Sequence, residues 1–392
     1  NLEYKGKCVE VVPHIPNEVV RRIKRASEQA NADVTLIEIG GTIGEYQNLI
    51  FLEAARMLKI SNPKDVAFVM VSYLPVPNKV GEMKTKPTQY ASRTLNSAGI
   101  QADVIIARSE SKLDKKRKEK IAMFCNIETQ NVISAPDVES IYDVPLNFEN
   151  DGLGDILTSK LGIKPNKPDL ENWKKFVKKT KNGHKKVNIA VVGKYFSSGD
   201  FVLSDVYISV LEALKYSAYS LGVKPVITYI SSQEFEGSKG NMKLKKLNKY
   251  DGVLIPGGFG KTGIEGKLRV IEYTRKNKIP YFGLCYGMQL IVVEYARNVL
   301  GLNDANTLEV DPKSNNLVID IMPDQKEKIA KNDYGGTMRL GACTAILKKN
   351  TIARESYEKT KVEERHRHRY EVSSEYIELL EEKGLVFSGV SP

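Results

Sequence analysis

Residues 281–289 read Tyr-Phe-Gly-Leu-Cys-Tyr-Gly-Met-Gln. The apolar run Ile279 to Leu284 predicts a buried strand, and the amphipathic pattern Met288 to Leu300 predicts a helix. Between them lies Gly283-Leu284-Cys285-Tyr286-Gly287. A nucleophile between two glycines on a strand-to-helix turn is an elbow. The glycines permit the tight turn and leave room beside the sulfur. A helix start offers free N–H groups and partial positive charge, which predicts a thiolate-favouring site suited to attack on a carbonyl. A buried structural cysteine is the competing reading of the same five residues.

Working outward, strands and helices alternate on both sides of a compositional break. In the first half, Val34 to Ile39, Ala67 to Leu74 and Val104 to Ala107 read as strands, with Leu49 to Lys59 and Gln89 to Ala98 as helices. Residues 165–186 are proline-bearing and basic and read as a linker, partly helical around Trp173 and Phe176. The second half restarts with strands at Val187 to Val192, Val226 to Ile230 and Gly252 to Ile255, and a helix at Val206 to Tyr219. The segment after about residue 300 is less regular. This order predicts an α/β chain of two Rossmann-like domains with mainly parallel sheets, spanning 1–164 and 187–392. Their ligands are expected at the strand carboxyl ends.

The 392 residues suffice for about two or three cores. A formal net charge of +11 favours anionic partners, nucleotides or nucleic acid, although the lysine runs also suit solvated faces. The 4 cysteines (Cys8, Cys125, Cys285 and Cys343) are scattered, with no Cys-x-x-Cys. That argues against a disulfide framework or zinc site and fits a reducing, cytoplasmic setting. No apolar stretch reaches the ~20 residues of a membrane span.

Other motifs refine the chemistry. Pro256-Gly257-Gly258-Phe259-Gly260 follows a strand. Placed near Cys285, its peptide N–H groups would form an oxyanion hole; alone it is a plain strand-to-helix turn. Gly260-Lys261-Thr262 ends like a P-loop, but position 255 is Ile255 where that motif needs glycine. Lys84-Thr85-Lys86-Pro87-Thr88-Gln89, between a strand and a helix, offers a phosphate cradle or an exposed basic loop. Glu38, at an expected strand end, is a candidate Mg²⁺ ligand. His366 and His368 would face one side of a strand among Arg365, Arg367 and Arg369, more like a carboxylate site than a base. His14, between prolines, reads as a loop residue, and His184 as an inert linker residue.

Together these stretches resemble the CTP synthase family, an amidoligase domain joined to a class I glutamine amidotransferase domain. The likeness also includes Val12-Pro13-His14-Ile15, Ile37 to Thr42, Ile133-Ser134, Ser140-Ile141-Tyr142, Gly193-Lys194-Tyr195, Gly335 to Gly341 and Glu364 to Val372. It implies a ligase that makes CTP from UTP, ATP and glutamine with Mg²⁺. ATP phosphorylates the uracil O4, and ammonia released from glutamine displaces that phosphate. The resemblance makes Cys285 the nucleophile and gives the oxyanion hole to the Gly258 and Tyr286 N–H groups. It places glutamine on Gly258, Tyr286, Gly287, Met288, Gln289, Glu309 and Arg369. It assigns UTP or CTP to Glu45, Tyr46, Gln47, Lys84, Thr85, Lys86, Pro87, Thr88, Gln89 and Lys120. Pro136, Asp137 and Val138 would lie near ATP, and Glu38 would contact Mg²⁺. It further implies a homotetramer, activation by GTP and inhibition by CTP.

The chain departs from the family pattern at four places. The family begins with a P-loop unit and ends with His-Pro-Glu, so the resemblance predicts both outside Asn1 to Pro392. Glu45-Tyr46-Gln47 stands where Asp-Ile-Glu is usual, which bears on the cytidine contact, and Pro136 replaces a basic residue. Two other readings compete: a class I amidotransferase with another ammonia acceptor, and a non-catalytic basic protein binding nucleic acid. The basic runs lack interleaved aromatics, which weighs against nucleic acid.

Overall fold

The computed structural model describes residues 6, 8–79, 81–182, 185–194, 197–198, 201–202, 206–238, 240–322, 325 and 339–392. The chain divides into two units, Asn1–Val177 and Lys178–Pro392, and the division lies inside the 165–186 segment.

In the first unit, β1 (Val69–Tyr73), β2 (Val104–Ser109) and β3 (Val132–Pro136) form a parallel sheet in that order. β2 lies in the middle, and its Val104-Ile105-Ile106-Ala107 run is buried on both faces, as a central parallel strand requires. α1 (Val11–Ala30), α2 (Leu49–Ser61), α3 (Lys86–Ser97), α4 (Lys115–Cys125), α5 (Val144–Asn150), α6 (Leu153–Lys160) and α7 (Glu171–Asn182) complete it. One core joins Leu52, Met70, Leu95, Ile105, Ile121 and Val132.

Three expectations are corrected. Val34 to Ile39 is not a strand but irregular coil, with Leu36 92% exposed. A strand needs a neighbour to take its peptide groups, and this segment pairs with none among the described residues. Glu38 therefore stands on coil, not at a strand end. His14 is helical: Val12 is the non-helical residue of α1, so Pro13 opens the helix, where its missing N–H costs no intrahelical bond, while Pro16 lies inside the helix. Half of the expected linker packs within the first unit. There α7 sets Trp173 and Phe176 against Tyr142, with ring centroids 6.1 and 5.0 Å away, and the Trp173 indole N–H donates to the Tyr142 carbonyl at 2.9 Å.

In the second unit, β4 (Lys186–Gly193), β7 (Lys224–Ser231), β8 (Gly252–Ile255) and β9 (Tyr281–Gly283) form a parallel sheet ordered β7-β4-β8-β9. A hairpin of β5 (Ser197–Ser198) and β6 (Phe201–Val202) lies between β4 and α8 (Ile208–Ser220). α9 (Gly240–Leu244), α10 (Ile264–Lys276) and α11 (Tyr286–Asn298) follow. The chain moves from β4 to one side and then returns to β8 on the other, so the crevice at the carboxyl ends of β4 and β8 is a topological switch point. The late segment holds β10 (Asn306–Thr307), β11 (Leu317–Ile321) and β14 (Tyr370–Val372) in a mixed sheet. β12 (Arg339–Leu347), β13 (Lys361–His368) and β15 (Gly389–Val390) form an antiparallel one, with α12 (Ile352–Tyr357) and α13 (Ser374–Glu382) beside them. A separate core runs from Ala190 through Ile255, Tyr286 and Leu290 to Leu380.

Candidate active sites

The elbow forms where β9 passes into α11. Cys285 is the residue before the helix and holds φ 53°, ψ −108°, a left-handed conformation that costs a side-chain-bearing residue about 1–3 kcal/mol. Close packing explains both flanking glycines. A Cβ on Gly283 would lie 2.5 Å from the Gly287 carbonyl carbon, and one on Gly287 would collide with the Ile255 carbonyl oxygen. The Leu284 N–H donates to the Ile255 carbonyl at 3.0 Å, joining the elbow to the end of β8. The glycine turn after β8 sits directly beside the nucleophile: a Cβ on Gly257 would lie 3.6 Å from the Cys285 sulfur.

The glutamine-site residues inferred from the resemblance converge here. Tyr286 is buried, and its hydroxyl donates to the Gly260 carbonyl at 3.3 Å. The Gly260 N–H donates to the Glu309 carboxylate at 2.6 Å, bringing the loop after β10 to the turn. The buried Gln289 side-chain amide donates to the Tyr370 carbonyl at 3.2 Å. The Tyr370 phenol titrates above its usual range through burial and the Glu309 carboxylate, while Arg369 opposes the rise. Glu309 and Arg369 thus both act on one ring beside the elbow. Met288 is exposed on α11. Tyr370, and Tyr281 whose hydroxyl donates to the Gly287 carbonyl at 2.9 Å, stand in the quoted stretches but were given no role of their own.

The expected thiolate preference is corrected. Burial pushes the Cys285 thiol up, the Tyr286 N–H pulls it down, and the Glu309 carboxylate pushes it up again, with a net rise. One helix-start donor does not outweigh desolvation plus a nearby negative charge, so the sulfur needs a base. Among the described residues no histidine hydrogen-bonds Cys285. His366 and His368 do share one side of β13, their Nδ1 atoms 3.1 Å apart. Residues 335–338, Tyr195 and His184 lie outside the described residues.

In the first unit Lys84 and Asp137 lie at the strand carboxyl ends. Lys84 precedes α3, where its N–H donates to the Pro75 carbonyl at 2.9 Å just beyond β1. Thr85 and Thr88 point inward: both are buried, Thr85 accepting from the Gln89 amide at 3.1 Å and Thr88 bonding Ser72 at 2.9 Å. Lys86 and Pro87 are exposed at the α3 N-terminus. Lys84 pairs with Glu82 at 2.6 Å. The Glu82 carboxyl is held low by Lys84 first and then by Arg117 and Lys120, so Lys120 of α4 faces the same spot. Glu82 and Arg117 were missed because a single charged residue in a basic stretch carries no pattern. Asp137 follows β3, its N–H donating to the Ser109 carbonyl at 2.8 Å and its carboxylate 3.9 Å from Arg108. Pro136 and Val138 flank it, half-buried. Glu45, Tyr46 and Gln47 are exposed, and their loop meets α3 midway, where a Cβ on Gly44 would lie 3.2 Å from the Thr94 methyl. Among the described residues no hydrogen bond ties them to Lys84 to Gln89. Glu38 is exposed, and no group of three His, Cys, Asp or Glu able to hold a metal exists among the described residues. A single carboxylate fits only an Mg²⁺ ion that arrives with phosphate oxygens and water.

A strand, a Gly-x-Cys-x-Gly elbow, a glycine turn against the sulfur and a glutamate held on that turn define a class I glutamine amidotransferase fused to a second parallel α/β unit. Two family descriptions match the chain: "CTP synthase N-terminus" over residues 1–163 and "Glutamine amidotransferase class-I" over residues 202–392. Two proteins described as CTP synthase are similar over nearly the whole chain. That of Thermococcus gammatolerans is 47% identical over 390 residues, covering 99% of this chain and 70% of its own. That of Methanocaldococcus jannaschii is 46% identical over 394 residues, covering 100% and 71%. A solved structure, the Trypanosoma brucei CTPS glutaminase domain with bound acivicin, is 40% identical and covers 53% of this chain and 75% of its own, with TM-score 0.48. The chain belongs to the CTP synthase family. It is a glutamine-hydrolysing ligase of pyrimidine biosynthesis, and the family uses UTP, ATP and glutamine.

Proposed function

We propose that Cys285 is the nucleophile that frees ammonia from glutamine, and that the loop around Lys84 to Gln89 receives the uridine nucleotide that the ammonia aminates. The approach of the turn from Pro256 to Gly260 to the Cys285 sulfur carries this reading. The sulfur, once a base has taken its proton, attacks the side-chain amide carbon of glutamine. Negative charge then develops on the amide oxygen, and the Gly258 and Tyr286 N–H groups are the donors for it. Collapse, with the base returning that proton to the leaving nitrogen, expels ammonia and leaves a glutamyl thioester, which water hydrolyses to glutamate and free thiol. Glu309 suits the substrate α-ammonium, and Arg369 its α-carboxylate as a fork-shaped donor. Gly287, Met288 and Gln289 wall the same site.

In the first unit, Lys84 and Lys86 at the α3 N-terminus are the phosphate contacts, joined by Lys120. Thr85 and Thr88 shape the loop from inside, and Pro87 and Gln89 border it. Glu45, Tyr46 and Gln47 are proposed for the cytidine or uridine end, and Pro136, Asp137 and Val138 for the adenine of ATP. Glu38 would give one oxygen to Mg²⁺, which neutralises phosphate charge when bound. The same reading makes the enzyme a cytoplasmic homotetramer, activated by GTP and inhibited by CTP. Its four free cysteines suit a reducing setting, and among the described residues no helix is long and apolar enough to cross a membrane.

Cys285→Ala tests the assignment. Glutamine-dependent CTP formation should vanish while ammonia-dependent formation persists within about twofold. Loss of both would make the cysteine mainly structural.

A further inference from the structure

Lys267 of α10 is fully buried at 0% exposure, and its ammonium has no hydrogen-bond acceptor among the described residues. Such a group is costly to keep unless something compensates it. What faces it is the ring of Tyr286, 5.6 Å from Nζ to the centroid, a desolvated cation–π contact. Burial first, and then the charge of Lys194 beyond the end of β4, lower Lys267 to about 8, so most of it stays charged at neutral pH. Tyr286 is no ordinary core ring. It follows the nucleophile, its N–H acts on the sulfur, and its hydroxyl holds the Gly260 carbonyl at 3.3 Å. Gly260 is held in turn by Glu309. A continuous series of contacts therefore runs from Lys267 through Tyr286 and the glycine turn to Glu309.

Resting on the reading of Cys285 as nucleophile, we propose that Lys267 is a positioning residue for glutamine hydrolysis: its buried ammonium, against the Tyr286 ring, locks the elbow and the glycine turn as one oxyanion site. The same charge beneath the site favours the negative oxygen formed on attack. Packing alone would need no charge here; a methionine has nearly the same length and shape.

The test is Lys267→Met beside Lys267→Arg in the full-length enzyme. It is read by glutaminase kcat and KM, by the rate at which a glutamine-mimicking electrophile labels Cys285, and by melting temperature. The neutral variant should melt no lower than wild type, yet lose about tenfold in kcat and labelling rate with KM within about twofold, and the arginine variant should recover most of that loss. Full activity in Lys267→Met would overturn the proposal. So would equal losses in both variants at unchanged melting temperature, which would mark shape rather than charge as the requirement. Should Lys267→Met not fold, Lys267→Gln is read by the same criteria. A wild-type enzyme left unlabelled at Cys285 would instead overturn the nucleophile assignment.

Discussion

At the scale of the residue, Cys285 combines a strained backbone with a thiol that its surroundings hold protonated. The strain places Sγ above the end of β9, against Gly257. Its reactivity is thus tied to substrate: a glutamine mimic that fills the Glu309 and Arg369 positions should label Cys285 and leave Cys8, Cys125 and Cys343 unlabelled, as peptide mapping would reveal. Cys8 is the exposed thiol and Cys125 is buried, so label on Cys8 would indicate reaction by mere accessibility. Glu309 also supplies a sign to check. Its carboxylate raises the Cys285 thiol, so Glu309→Gln should move the pH midpoint of iodoacetamide alkylation at Cys285 downward. An unchanged or higher midpoint would mean that the carboxylate does not act on the sulfur.

Among the elements, β3 shows how a candidate nucleotide edge is held. The Ser134 N–H donates to Asp151 at 3.1 Å, Lys118 of α4 reaches the same carboxylate at 3.1 Å, and the Leu113 N–H donates to the Ser134 hydroxyl at 3.0 Å. Burial raises the Asp151 carboxyl, but the Ser134 N–H, Lys118 and Lys112 together bring it below the usual range. A carboxylate lowered by folding adds stability that is complete above its unfolded value near pH ~4 and is lost as pH falls through the folded value. Asp151→Ala, which strands a peptide N–H and a lysine, should cost the first unit about 1–3 kcal/mol in urea unfolding at pH 7, and less as pH falls through the lowered folded value. A cost that does not shrink on acidification would assign the effect to packing.

Across the whole molecule, each unit has its own core, one joining Leu52 to Val132 and the other Ala190 to Leu380. Ligands of one unit should therefore raise the melting temperature through that unit's own contacts. UTP is expected to raise it, and Lys84→Ala should remove much of the UTP effect while leaving that of a glutamine analogue. No shift with UTP, CTP or ATP would point to an amidotransferase with another acceptor. Tight, salt-sensitive binding of generic RNA would turn the net charge of +11 towards nucleic acid.

Much of this was readable in one dimension. Apolar runs fell as β2, β4 and β8 because a central parallel strand is apolar on both faces, whereas the run Ile279 to Leu284, expected as a buried strand, forms the short edge strand β9 with Phe282 61% exposed. The elbow needed only its two glycines and the helix pattern after Met288. Val34 to Ile39 misled because it has the same apolar look, and pattern cannot say whether a strand has a neighbour. The sequence by itself determined local identity: which peptides can turn, which side chain can attack, which run can be buried. Tertiary structure alone decided what those residues face. It set Lys267 under Tyr286, Glu309 on Gly260 and Glu82 among three cations, and it turned a thiol expected to ionise early into one that ionises late. Charge and desolvation act through space, over distances that chain order does not record.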